Sequence, residues 1–456
     1  RNEHAVEALG DPRGTEPYRR ILAALNTKDK IPYISRLGDR YYNFWRDAAH
    51  PQGVWRRTTL ESYRTGRPEW EDVLDLDALA RDEGVSWVWK GKTALNEGPD
   101  SRWDRVLLHL SPGGSDAAAV REFDLVAKAF VPEAEGGFVV PTAKTRVSWR
   151  GRDELLVGTD FGEGSLTKSG YPRTVRAWRR GTPLASAEQV FEGAEGDVSV
   201  SGHLYHDRGH WHEFRSRALT FFASERLYRR GAPGSASGEF TRLPAPQDAS
   251  VGTFADACLI KLRSDWAVRP GLVYKAGSLL SMRLEDLAAG SLGGIQVLFE
   301  PTDRRSLPRE FPAGTRSFLV VTVLDNVRKE LEFWRYEGGG RWARRSGGAD
   351  ALPIGRDVGV SAVWEHSSDD IWITSDGYLQ PDTLQLASAA DGAAAPLDLW
   401  AKPALFDASG LQVEQRMATS LDGTQVPYFL VRPKAVPGDG STPTILAGYG
   451  GFQISR

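Results

Sequence analysis

The chain has one cysteine among its 456 residues. It therefore holds no disulfide of its own, and Cys258, set in Ala255-Asp256-Ala257-Cys258-Leu259-Ile260 with no activating neighbour, reads as a buried, inert thiol. Excess charge is missing too. Lys and Arg number 57 against 60 Asp and Glu, for a net charge of −3, and the basic residues are scattered among acids, so no nucleic-acid partner is expected. No apolar run approaches the ~18 residues of a membrane span, and no membrane partner is expected either. No leading signal segment is expected. Together with the cysteine usage this places the expected location in the cytoplasm. The first residue is Arg1, and Arg1 to Leu9 reads as the middle of a polar helix; the sequence is read as a piece cut at both ends.

What is abundant is tryptophan (15) and glycine (48), spread over many short apolar runs. Residues 1–30 are helical in pattern. Thr15 suits an N-cap and Pro17 a first turn, and Tyr18, Ile21, Leu22 and Leu25 share one face. From Ile31 to Pro403 strand-like runs are separated by turn chemistry such as Leu37-Gly38-Asp39, Arg208-Gly209 and Asp376-Gly377. The run Ser317 to Leu324 is almost wholly apolar, while Asp370 to Thr374 alternates. No long helical pattern interrupts, although Leu284 to Leu292 has room for a turn. The runs fall into seven groups at a period of roughly 45–60 residues, starting near Ile31, Val85, Gly137, Asp197, Ala249, Gln296 and Gly359. About four strands at that period point to a β-propeller, because a four-stranded sheet cannot bury both its faces alone. Two or three β-sandwiches are the competing reading.

After Ala404 the pattern changes. Leu411 to Ala418 alternates, Ser420 to Thr424 turns around Asp-Gly, and Val426 to Pro433 runs on as a strand, a hairpin. A loop follows, and then Thr444-Ile445-Leu446-Ala447 reads as a buried strand running into Gly448-Tyr449-Gly450-Gly451-Phe452. A strand opening onto such a glycine turn is how an α/β sheet presents its carboxyl edge, where sites are built.

The tail, "SLDGTQVPYFLVRPK" followed by "PTILAGYGGFQIS", resembles the start of the peptidase domain of prolyl oligopeptidases, serine peptidases of α/β-hydrolase type. "IPYISRLGDRYYNFWRDAAHPQGVWRRTTL" with "WEDVLDLDALA" resembles the first blade of their propeller. The Gly-Tyr-Gly-Gly-Phe form favours them over the oligopeptidases B. The resemblance implies the end of an amino-terminal helical segment (1–30), a seven-bladed propeller (31–403) that restricts substrates to short peptides, and the start of an α/β-hydrolase domain (404–456) against which the propeller packs. It implies a Ser–Asp–His triad and cleavage after proline, without metal or organic cofactor. The elbow G-x-S-x-G is not in the sequence, and the family's triad lies downstream of Arg456, so no triad residue is assigned and this segment alone is expected to be inactive. Two residues carry over: Tyr449 as a hydroxyl donor to the oxyanion, and Phe452 as part of the apolar pocket for proline. A phenol titrating near ~10 stays protonated at neutral pH and suits the first role. The alternative is a binding module whose hydrolase domain is absent or degenerate.

Two further segments are weighed. His203, His206, His210 and His212 lie in a hairpin turning at Asp207-Arg208-Gly209 without metal-ligand spacing; they are read as blade-edge residues, with a zinc site conceivable only if His203, His210 and His212 share a face. The polar connection Thr159 to Arg173 reads as a surface loop or a substrate gate, with Tyr171 as its substrate contact.

Overall fold

The architecture, seen in a computed structural model describing residues 2–25, 27–234, 238–345 and 355–448, is a seven-bladed β-propeller preceded by two short helices. Seven antiparallel sheets follow one another along the chain at 35–75, 87–143, 146–192, 199–242, 250–299, 305–344 and 356–401, each a meander whose first strand is innermost. The expected openings lie close to these except at two places. Val139–Ala143 pairs with Ala118–Asp124 of the second blade, so the third opens at Arg146, not Gly137. Gln296–Phe299 pairs with Leu279–Arg283 as the outer strand of the fifth blade, and the sixth begins at Arg305. A short apolar run looks the same whether it lies at the hub or the rim.

The packing explains why the strands need such runs. Seven apolar clusters fill the described core, one for each pair of neighbouring blades. Within Phe318–Asp325, alternate residues serve different neighbours: Leu319, Val321 and Val323 pack toward the fifth blade, Phe318 and Val320 toward the seventh. Both faces are buried, so apolar residues are continuous rather than alternating. The smallest cluster, Leu156, Val175, Ala177 and Val200 between blades three and four, is supplemented by charge. Glu213, fully buried, accepts from Arg215 at 2.7 Å and Arg229 at 2.7 Å and lies 3.5 Å from Arg150. Burial pushes this carboxyl up, but the three guanidinium groups outweigh it and hold it below the usual range.

Among the described residues, the ring closes without a strand shared between the first and last sheets. Tyr41 and Tyr63 of the first blade meet Trp372 of the seventh at 6.5 and 6.4 Å between centroids, and Trp400 lies 5.5 Å from Tyr63. The Tyr63 hydroxyl donates to the Pro32 carbonyl at 3.0 Å.

Two helices of the first blade, Leu60–Arg64 and Leu76–Glu83, lie where only strands and turns are expected. Helix Leu76–Glu83 follows Asp75, whose carboxylate accepts from the Asp77 and Ala78 amides, and ends at Gly84 with φ +67°, an acidic N-cap and a glycine stop. Thr15 does cap helix Glu16–Leu25, accepting from the Tyr18 amide at 3.3 Å, and Leu284–Ala288 is a helical turn.

Glu213→Ala strands buried guanidinium groups without their anion. It is expected to cost about 3–5 kcal/mol, read as a lower urea midpoint, whereas Glu192→Ala at the exposed rim is expected to change the midpoint little.

Candidate functional site

A four-stranded meander starts, makes its second turn and ends on the same side. That side of the wheel therefore holds every crossing between blades, residues 31–34 before the first blade, residues 402–406 after the last, and the middle turn of each sheet. We call it the crossing face. A cavity of about 410 Å³ opens there between Thr27 to Lys30, the turn at Tyr378 and Leu379, and the segment Lys402 to Phe406. Three apolar groups of its lining, Tyr378, Leu405 and Phe406, are exposed. Large apolar groups exposed together at one place are a mark of interaction surfaces. Charge is present at its edge. Asp382 pairs with Lys402 and Asp357 with Lys329, and burial beside Asp357 and Asp382 raises the carboxyl of Asp376.

The hairpin Leu411–Thr419 with Gln425–Pro433 forms as expected, with Thr419 opposite Gln425 across the Asp-Gly turn. It rests on the crossing face. Phe429 lies 5.8 Å from Tyr378, Val413 packs so closely on Gly355 that a Cβ there would come within 2.7 Å, and the Gln415 amide donates to the Asn326 carbonyl. The expected strand from Thr444 to Ala447 is not formed: these residues pair with no other strand, and Ile445 and Leu446 are each 95% exposed. A buried strand needs a neighbour to complete its ladder. Tyr449 and Phe452 lie outside the described residues.

Tyr171 belongs to this face, in the middle turn of the third blade. Its ring lies under the Lys144 ammonium at 4.4 Å and the Arg146 guanidinium at 5.3 Å, and its carbonyl accepts from the Thr167 amide at 2.8 Å. The loop is fastened: Leu166 bridges Pro172, and Arg173 donates through Nε to the Gly164 carbonyl at 2.6 Å.

The opposite face is braced across the lumen. The loop after the second blade's inner strand carries Trp103 to within 4.8 Å of Trp364 and 5.1 Å of His366 of the seventh blade, and Asn96 donates to the His206 carbonyl of the fourth at 3.4 Å. Arg208 stacks 3.8 Å over Phe254 and donates through Nε to the Thr315 carbonyl of the sixth blade at 2.8 Å. The histidine hairpin lies here. Register places His203, His210 and His212 on one face, but His212 is engaged by the Ala255 carbonyl at 2.8 Å and the Tyr228 hydroxyl at 3.3 Å, and among the described residues no three His, Cys, Asp or Glu side chains are grouped so as to hold a metal ion. Cys258 is buried with its thiol pushed up to about 12, which removes the thiolate a nucleophile needs. No helix among the described residues is long and apolar enough to cross a membrane.

With this geometry in hand, the comparisons are informative. The family described as prolyl oligopeptidase, N-terminal beta-propeller domain, matches residues 2–212. An uncharacterized peptidase of Sinorhizobium fredii is 38% identical over 461 residues, covering 99% of this chain and 61% of that protein. One of Rickettsia prowazekii is 29% identical over 91% of this chain and 56% of that protein. The solved structure of a post-proline cleaving enzyme from Rickettsia typhi superposes on 100% of this chain and 65% of its own, with a TM-score of 0.85 and 27% identity. The chain thus spans about three fifths of the length of the curated relatives it matches.

Burial lowers the imidazoles of His206, His212 and His366 below the ordinary value of 6.5. Unfolding restores that value, so between the two the unfolded chain binds more protons and stability falls as pH drops. The urea midpoint is expected to be lower at about pH 5.5 than at about pH 7.5, and His212→Gln to flatten that difference; equal midpoints in the parent protein would contradict this account.

Proposed function

The chain belongs to the prolyl oligopeptidase family, by its amino-terminal propeller part, and from that premise we propose that the intact protein is a serine oligopeptidase of the cytoplasm that cleaves short peptides on the carboxyl side of proline. The observation that carries this reading is the superposition of the whole chain on a post-proline cleaving enzyme. On this reading, an α/β-hydrolase domain begins near Ala404 and covers the crossing face, with Tyr378, Leu405, Phe406 and the hairpin as its footing. A triad serine, activated by histidine and oriented by aspartate, attacks the peptide carbonyl and forms an acyl-enzyme that water resolves. Tyr449 donates its hydroxyl to the oxyanion, Phe452 lines the proline pocket, and Tyr171 contacts the peptide from the fastened loop on the same face. The braced far face keeps folded proteins out and leaves short, unstructured peptides as substrates. The mechanism draws on side chains alone, without metal or organic cofactor.

The full-length polypeptide is expected to label with a serine-directed fluorophosphonate and, across a panel of peptides differing only before the cut bond, to prefer proline. Tyr449→Phe is expected to lower kcat by about 10²–10³ with little change in KM. A folded protein that neither labels nor cleaves would instead be a non-catalytic binding propeller whose hydrolase domain is absent or degenerate.

A further inference from the structure

The sixth blade lacks the middle of its inner strand. Arg305–Ser306 pairs with Leu324 and Asp325 at one end, and Ala313–Gly314 pairs with Leu319 and Val320 at the other. The six residues between them, Leu307 to Pro312, leave the sheet. Pro308 and Pro312 have no amide to give to a ladder. The excursion is held outside it: the Lys261 ammonium donates to the carbonyls of Pro308, Arg309 (3.1 Å) and Glu310 (3.4 Å), and Phe311 lies against Gly252, where a Cβ would come within 2.8 Å.

The next strand, Phe318–Asp325, is consequently left with an open position. Its ladder shows which residues face inward. The Ser317 carbonyl accepts from the Tyr336 amide on the outer side at 2.9 Å, and the Phe318 carbonyl accepts from the Thr315 amide on the inner side at 2.8 Å. Direction alternates along an antiparallel strand, so Val320, Thr322 and Leu324 also aim their backbone groups inward. Val320 finds Ala313 and Leu324 finds Ser306. Thr322 faces no residue of the inner strand, and among the described residues neither its amide nor its carbonyl has a partner on that side. At this place lies a cavity of about 270 Å³ whose lining includes Thr322, Phe311, Pro312, Val358 and the charged Glu310 and Lys329.

We propose that this cavity is a peptide-binding site, in which one or two residues of an extended peptide take the place of the missing inner strand. A donor and an acceptor side by side in the plane of a sheet match the amide and carbonyl of a single peptide residue, which exchanges both bonds with Thr322. The apolar part of the lining, Phe311, Pro312, Val358 and Val360, favours small aliphatic side chains at the peptide positions beside it. The residue opposite Thr322 must carry an amide hydrogen, so this site reads a residue other than proline. It uses no hydrolase chemistry and stands whether or not the intact protein cuts peptides.

The test uses the full-length protein, treated with fluorophosphonate so that any peptidase activity is silenced, and a fluorescein-labelled Ala-Val-Ala-Val amide. Hydrogen exchange in 318–325 is expected to slow when the peptide is added. Val360→Trp, which fills the cavity, and Thr322→Pro, which removes the inward amide without touching bonds to the outer strand, are each expected to weaken binding about tenfold by fluorescence anisotropy. Should Thr322→Pro fail to fold, the exchange measurement and Val360→Trp decide. Unchanged exchange in 318–325 while peptide is bound elsewhere, absence of binding at millimolar peptide (a cavity holding water only), or parental affinity in the folded variants would each overturn the proposal. Labelling by the fluorophosphonate is scored separately, so loss of the peptidase reading and loss of this site are told apart.

Discussion

Each blade is a sheet too small to cover its own apolar faces, and almost everything else in the molecule follows from that. The clusters between blades are made by side chains that alternate along single strands, one set for the blade before and one for the blade after. A sheet placed alone would expose both sets, so each blade depends on the neighbours on either side of it. Where apolar material is thinnest, between the third and fourth blades, a buried carboxylate ringed by guanidinium groups fills the interface.

The same arrangement sorts the molecule into two faces with different duties. Meanders bring the chain crossings and middle turns to one side, where exposed aromatic groups and the hairpin of 411–433 offer footing for further structure. The first turns gather on the other side, where Trp103, Asn96, Arg208, Trp364 and His366 tie four blades together across the lumen. Chemistry proposed for the intact protein belongs to the first face, and the second supplies rigidity and exclusion.

Much of this was legible because it depends on local pattern. Seven groups of strands, the apolar run from Ser317 to Leu324, the cap at Thr15 and the hairpin around Asp422-Gly423 all announce themselves in residue order. Which strand of a blade a run forms does not, since Gln296 to Phe299 is equally apolar at hub or rim; only pairing with Leu279–Arg283 decides it. The helix after Asp75 carried its signals and was obscured by the strand-like residues before it. The candidate site was legible only through family likeness: Tyr449 and Phe452 lie outside the described residues, and Tyr171 gains meaning from the face on which its loop emerges. The gap in the sixth blade's inner strand was foreshadowed by Pro308 and Pro312, but that it leaves Thr322 unpaired is a matter of register.

The order in which the chain builds its sheets leaves one junction unlike the other six. No covalent linker bridges the first and seventh blades directly, and among the described residues no main-chain hydrogen bond joins them. Tyr41, Tyr63, Trp372 and Trp400 hold that junction by ring contact. Opening at this join would break no ladder and no linker between blades, only side-chain contacts: those rings, the apolar cluster around them and the tie from Trp103 to Trp364.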